Sequence, residues 1–440
     1  MNINKPLVIF LVVLFTALAS YVAIPQIINP VSEYDIYLEK AREYNEKNLC
    51  VKAMMEYENA LKEEDSLDLR IEMVKNYEKG IENGEYKDGF AYTELFYNMV
   101  DKYKREPEAY EFALRCLYEK SAFEDCVNIL YQAEDLKVDS NAIDRIRDKV
   151  MYECKNNRAT YTGVWTTQNG YALTIFDGEY YILNQEFSAM NPEVYKYATP
   201  MINGYALVKD AAYTYLVSEE GVRQAYYPDK TEHSTGMGAS MIAVKVDGKY
   251  SYYDLEGNEK FGEYDFAGRF SNGLAPVEEN GKWHLITTSG EKAFDATFED
   301  IKLSSIYDCS QSGLIFAKSG GKYRLYNTKL EQVGNLTFED ADVFRSSDQL
   351  AAVKIDGKWG YINSKGELVL SPTFDQAKSF SYGLGAVKQG EYWSFINEQK
   401  EEVIVGAFTD VDYFTQKGYC FVTEDKYWYY ISRYYVERNG

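Results

Sequence analysis

The stretch "LAAVKIDGKWGYINSKGELVLSPTFDQAKSFSYGLGAVKQGEYWSFIN", Leu350 to Asn397, states one phrase twice. Ala352-Val353-Lys354 returns as Ala386-Val387-Lys388, and Trp359 returns as Trp393, 34 residues on. Residues 351–355 alternate and are rich in small and β-branched types, the pattern of a strand. Asp356-Gly357 supplies a hairpin turn in which glycine takes a positive φ. Trp359 to Ile362 then reads as the returning strand, and Ser364-Lys365-Gly366 turns into Glu367 to Leu370. The segment "FDQAKSF" reads as a crossing piece or a short fourth strand. A meander this small cannot bury its own faces, because three strands need a partner surface. The phrase is therefore a packing unit, each copy covering its neighbour.

Counted outward from Trp359, the aromatic recurs at Tyr180, Tyr213, Tyr250, Trp283, Tyr323, Trp359, Trp393 and Trp428. The period is near 35, with the longest interval, 40, between Trp283 and Tyr323. A small or apolar pair precedes each aromatic by six and seven positions, as in Ala206-Leu207, Ala243-Val244 and Pro276-Val277. Fifteen positions after it stands a second aromatic: Tyr195, Phe298, Phe338, Phe374 and Phe408. The phrase "DGKWGYINSKGELV" resembles the WG repeat, also called the KWG repeat, of bacterial surface and secreted proteins. The resemblance extends from Gly170 to near Tyr435, although only Trp359-Gly360 keeps the Trp-Gly pair. It implies an all-β repeat domain and brings no catalytic motif with it. Eight such units close into a β-propeller with small blades or, alternatively, run as an open β-solenoid. Closure removes edge strands and makes the propeller the expected form.

The N-terminal third has a different pattern. Leu7 to Ile28 carries no charge, long enough for a membrane-spanning helix, with Lys5 before it and Glu33 and Asp35 after it. A signal anchor with a cytoplasmic stub at residues 1–6 is expected. Secretion after cleavage near Ala19 is the alternative, since Ala17-Leu18-Ala19 fits the small-residue pattern. Either reading puts the bulk of the chain outside the cytoplasm, as a single-pass membrane protein or a secreted one. Residues 33–155 have helical spacing. There Ala41, Tyr44, Asn48, Ala53, Tyr57, Ala60 and Leu61 stand in the order that resembles a tetratricopeptide repeat, a 34-residue helical hairpin. A second copy is expected around Pro107 to Ala133, and a degenerate one between them. The expected fold class is thus multidomain, α then β: transmembrane helix, TPR-like helical repeats, and an all-β WG-repeat domain over 161–440.

The formal charge of -22 argues against nucleic acid, whose phosphates require Lys/Arg patches. It favours protein partners or a neutral cell-envelope glycan, the latter motivated by 42 tyrosines that can stack on sugars. Six cysteines and two histidines fit no metal spacing. Cys116 and Cys126 can bridge in an oxidising compartment, but buried free thiols are the simpler reading.

No residue set demands a reaction. His233 lies in "KTEHSTGMGAS", read as a loop, with no G-x-S-x-G elbow around its serines. His284 follows Trp283 within a strand. Ser289 and Lys292 match S-x-x-K only at a repeat turn, and Gly236-Met237-Gly238 lacks the third glycine of a dinucleotide fingerprint. Glu278-Glu279, Glu299-Asp300 and Glu339-Asp340 suggest glycosidase carboxylates, but the last two recur at one repeat position, as solvated turn residues do. Asp254, Glu256 and Asn258 lack the remaining calcium-loop spacing. No catalytic, cofactor-binding or metal-binding residue is expected. The expected function is a membrane-anchored, extracytoplasmic, non-enzymatic scaffold for protein–protein interaction, with envelope or carbohydrate binding as the alternative.

Overall fold

The computed structural model describes residues 31–87, 89–166, 170–190, 193–310, 312–346 and 349–435. The chain divides into two compact units, one ending at Val150 and one beginning at Met151.

The second unit is an eight-bladed β-propeller. Its strands form eight antiparallel sheets of three or four strands. Blade 6 shows the plan. A two-residue inner strand, Asp340–Ala341, pairs with Ala351–Ile355; that strand pairs with Lys358–Ile362, and an outer strand, Leu368–Phe374, completes the sheet. The Asp356-Gly357 turn has positive φ at both residues, 51° and 78°, as a tight hairpin requires. The two repeat aromatics are cross-strand partners: Trp359 opposite Phe374, Trp393 opposite Phe408, Trp283 opposite Phe298.

Each blade packs on the next through its own apolar cluster. Leu207, Leu216, Met237 and Val244 join blades 2 and 3, and Tyr361, Phe374, Phe380 and Val387 join blades 6 and 7. Ala172, Leu183, Phe187 and Phe421 join blade 8 to blade 1, so the series has no open end. The ring is closed by hydrogen-bonded strand pairing, out of sequence order. Cys154–Tyr161, the first strand of the unit, pairs with Trp428–Arg433 and becomes the outer strand of blade 8. This closure excludes the solenoid. It also places residues 154–161 in the ring, whereas helical spacing was read as far as residue 155.

The Trp-Gly pair now has a physical reason. A Cβ on Gly360 would stand 2.5 Å from the Leu370 carbonyl oxygen and 2.7 Å from the Pro372 nitrogen, where the outer strand bulges against it. At this position blades 2, 3 and 7 carry Tyr215, Ser251 and Ser394 and keep an outer strand, which shifts register as that of blade 6 does. Blades 1, 4 and 5 carry Tyr181, His284 and Arg324, and among the described residues their outer strands reduce to isolated bridges. In blade 8, with Tyr429, the strand donated from residue 154 onward shifts register at this point.

The expected fold class needs correction. Among the described residues no helix is long and apolar enough to cross a membrane, and the expected span Leu7–Ile28 lies outside them. The TPR-like array is not what the first unit forms. It is a short segment of seven described helices, from Glu33–Glu46 to Asn141–Val150. The first hairpin has a seam of small buried residues, Ala41, Ala53 and Ala60, with Asn48 in its turn at φ 57°; the hairpin of Pro107–Glu119 and Phe123–Leu136 has Ala113, Cys126 and Ala133, with Ser121 at φ 57°. The next pair, Leu67–Glu82 and Phe90–Lys102, meets through rings instead. Tyr77 of the first stacks on Tyr92 of the second at 5.9 Å, and also on Tyr86 of the connecting segment at 4.2 Å. Large rings hold helices further apart than alanines do, so this middle pair breaks the series. Cys116 and Cys126 are buried free thiols, pushed up to about 12 by burial.

Candidate functional site: an aromatic cavity at the inner strands

The residues singled out in the sequence are mostly held by the blades themselves. The periodic acids capture the amides of hairpin turns. Glu299 accepts from the Gly320 and Gly321 N–H groups at 2.8 and 3.0 Å, Glu339 from Gly357 at 2.9 Å, and Asp375 from Gly390 at 2.9 Å. The lysine after each turn reaches the acid of the following blade: Lys322 to Glu339, Lys358 to Asp375, Lys249 to Asp265. Lys358, then the Gly390 amide, holds Asp375 below the usual carboxylate range; the Gly357 amide leads for Glu339. Asp254 accepts from the amides of Glu256 and Asn258 in a local turn. Among the described residues no three His, Cys, Asp or Glu side chains form a metal-sized group. Ser289 bonds Thr287 at 2.8 Å within its turn. His284 is buried with Nε2 3.4 Å from Glu279, and burial pushes its pKa down.

The four tryptophans at the repeat position do not make an exposed stacking row. Trp393 is buried, and Trp283, Trp359 and Trp428 are half-buried at the margins of their junctions. The centre of each junction belongs to the residue two positions later, such as Tyr252, Leu285, Tyr361 and Phe395. The Tyr361 hydroxyl donates to the Lys378 and Ala386 carbonyls of the next blade, both at 3.1 Å.

His233 is the exception. It opens a strand, His233–Gly238, not a loop. The glycines were misleading because packing requires them: a Cβ on Gly238 would stand 2.2 Å from the Phe270 carbonyl oxygen. His233 Nδ1 lies 2.9 Å from the Tyr250 hydroxyl, and burial, then Lys245, lowers its pKa. Its ring meets Tyr307 edge-on at 5.3 Å. His233 and Tyr307 line a cavity of about 120 Å³ together with Trp165, Tyr180, Tyr197 and Ser305. The Tyr197 hydroxyl accepts from the Ser234 N–H at 2.9 Å, which fixes that wall. Most lining side chains are half-buried, so the cavity is reachable from solvent.

Tyr307 and Ser305 come from blade 5, whereas Trp165, Tyr197 and His233 come from blades 1, 2 and 3. The connection that brings them together runs from Lys302 to Gly313; in blade 4 it runs only from Gly268 to Gly273. Tyr307 holds φ 64°, a strained setting for a bulky residue. The loop is fastened from below. Arg269 donates from its backbone to the Tyr307 carbonyl at 2.9 Å and from Nη2 to buried Asp308 at 2.6 Å, which also accepts from Ser304 at 2.8 Å. The 40-residue interval between Trp283 and Tyr323 was the sequence signal of this loop.

The register of the inner strands allows blade-by-blade comparison. The first position is Gly163, Tyr197, His233, Phe266, Asp300, Asp340, Gln376 and Asp410 in blades 1 to 8. Two residues on stand Trp165, Thr199, Thr235, Gly268, Lys302, Asp342, Lys378 and Asp412. Blades 1 to 4 thus present uncharged, largely aromatic groups, and blades 5 to 8 present charges. In the charged half Lys302 lies 4.8 Å from the Tyr323 ring centre and 2.6 Å from Asp340; Lys378 lies 5.4 Å from Trp393 and 3.3 Å from Asp410.

A family model described as WG containing repeat matches residues 250–283, 324–359, 359–393 and 393–428. Each match runs essentially from one repeat aromatic to the next, and the chain carries WG repeats there. No curated protein sequence matches this chain. Among solved structures, one described as a crystal structure of the eukaryotic initiation factor is similar at 12% identity and TM-score 0.40, over 55% of this chain and 75% of that one. The β-propeller domain of Myceliophteria thermophila Cps50 (Swd1) is similar at 10% identity and TM-score 0.35, over 63% and 98%. PorZ of Porphyromonas gingivalis, described as a surface component of a type-IX secretion system, is similar at 10% and 0.32, over 64% and 46%. These are distant likenesses.

Proposed function

Starting from a closed ring whose 250–428 stretch carries WG repeats, we propose that the protein is a non-enzymatic scaffold that binds protein partners. The observation that supports this reading best is the use made of the polar residues. The periodic acids clip turns, their lysines link neighbouring blades, and His284 packs beside Glu279. Catalysis needs unlike groups that converge once on a reacting atom. The accessible departure from the repeat is the aromatic cavity, and we place partner engagement at that opening.

Purified full-length protein is expected to leave peptidoglycan, common polysaccharides and peptides intact. Crosslinking in its native cells should capture a defined partner, and Tyr307→Ala should reduce that capture. Turnover lost on a single Asp or Glu substitution, with folding retained, overturns the proposal. We further propose, on the uncharged stretch Leu7–Ile28 alone, that this surface faces outside the cytoplasm. Full protection from protease added to wall-stripped cells would refute it.

A further inference from the structure

We infer that the cavity between Trp165, Tyr197, His233 and Tyr307 receives a guanidinium group, the end of an arginine side chain on a protein partner. The inference rests on the scaffold reading and adds the chemistry that the partner must present.

Three observations carry it. The first is the shape and lining of the site. About 120 Å³ has room for roughly four waters by liquid volume, the scale of a planar four-atom head group. Aromatic faces carry negative quadrupole charge, and a guanidinium both stacks on them and is attracted by them. The second is Ser305, whose Oγ is buried at the cavity wall with no hydrogen-bond partner among the described residues. A guanidinium N–H would satisfy it.

The third is the comparison between blades. The ring already holds cations over repeat aromatics, Lys302 over Tyr323 and Lys378 over Trp393. At the position of those lysines blade 1 carries Trp165, and at the position of Asp340 and Asp410 blade 2 carries Tyr197. The first junction thus keeps aromatic walls and has neither lysine nor aspartate. Around the same inner row, Asp300, Asp340, Asp342, Asp410 and Asp412 stand against only Lys302 and Lys378, on a chain of net charge -22. The field therefore draws a cation towards the opening. Lys245, the cation beside His233, lies 3.8 Å from Glu232 and 5.8 Å from the Tyr250 ring centre.

Titration calorimetry on the full chain tests this with N-acetyl-arginine amide and its neutral isostere N-acetyl-citrulline amide. The arginine compound should bind saturably, and citrulline about tenfold more weakly or less. Trp165→Lys, which installs the residue of the charged half, and Tyr307→Ala should abolish binding; Ser305→Ala should weaken it severalfold. The Ser305 variant removes one atom from a loop held elsewhere, and keeps the test valid if a larger change unfolds the blade. Equal binding of citrulline, equal binding of N-acetyl-lysine amide, binding of glucose in place of arginine, or indifference to all three variants overturns the assignment. If arginine fails to bind while Tyr307→Ala still reduces partner capture, the guanidinium assignment falls and the scaffold stands. If Tyr307→Ala leaves capture unchanged, partner engagement at this opening falls instead.

Discussion

Blades 1 to 4 and blades 5 to 8 are built on one backbone plan and end in opposite chemistry. At the first inner-strand position and the one two residues on, the first half has Trp165, Tyr197, His233 and Phe266; the second has Asp300, Lys302, Asp340, Lys378 and Asp410. In the charged half each lysine closes its junction by covering a ring and reaching the next blade's aspartate. In the aromatic half the rings touch in series, Tyr180 to Tyr197 to His233 to Tyr250 to Phe266 to Trp283. A cavity remains beside them. The repeated phrase therefore encodes the scaffold, while specificity resides where the copies disagree.

If the halves share packing and differ only in decoration, the junction centres should be equivalent. Tyr252→Ala in the aromatic half and Tyr361→Ala in the charged half are each expected to cost about 3–5 kcal/mol. Urea unfolding of both variants checks this, and a large difference between them would break the comparison. A smaller effect, about 1–3 kcal/mol, is expected for Gly360→Ala, because the added Cβ meets the outer strand backbone. The equivalent exchange Ser394→Ala should be nearly silent in the same experiment. Lys378→Met should cost about 1 kcal/mol, since its ion pair is partly exposed. High salt should shrink that loss in the charged half and leave the Tyr252 variant unaffected.

The least effect is expected from acidification, and it separates the halves by histidine. Burial depresses both His233 and His284, so the unfolded chain takes the proton first. Stability is therefore fully present above the ordinary histidine value, about 6.5, and declines as pH falls below it. Both histidines sit in blades 3 and 4. Urea midpoints compared at neutral and mildly acid pH should show a slope that His233→Gln and His284→Gln together flatten. The carboxylates Asp375 and Glu339 have the same sign in a lower window, losing their clips as pH falls through their depressed values.

Much of the ring was legible. Alternation, the Asp-Gly turns and the recurring aromatics indicated the number of copies and, in a four-stranded blade such as blade 6, three of its strands. The inner strands were legible only as one of two readings of "FDQAKSF", a crossing piece or a short fourth strand, because two residues such as Gln376–Ala377 show no periodicity. The cavity sits on those strands. Its one trace was the long interval before Tyr323, whose meaning depends on where the loop lands in three dimensions. His233 was read as a loop residue because glycine has low strand preference, yet close approach of Phe270 demands glycine there. In the helical unit, the order of Ala41, Ala53 and Ala60 was a true local signal that the following aromatic pair does not continue. Nor did the repeated tryptophan reveal that the residue two positions on, Tyr361 in blade 6, would hold the junction.

The borrowed strand of blade 8 has a mechanical consequence. Cys154 lies opposite Arg433 and Tyr161 opposite Trp428, with a further bond from the Tyr434 N–H to the Glu153 carbonyl. The chain enters the ring beside Cys154 and leaves it beyond Arg433, at the same end of this antiparallel pair. Tension applied through those two exits peels the ladder one bond at a time instead of shearing all of it together. Under such a load the clasp unzips before any blade unravels, and the ring opens at the seam between blades 8 and 1.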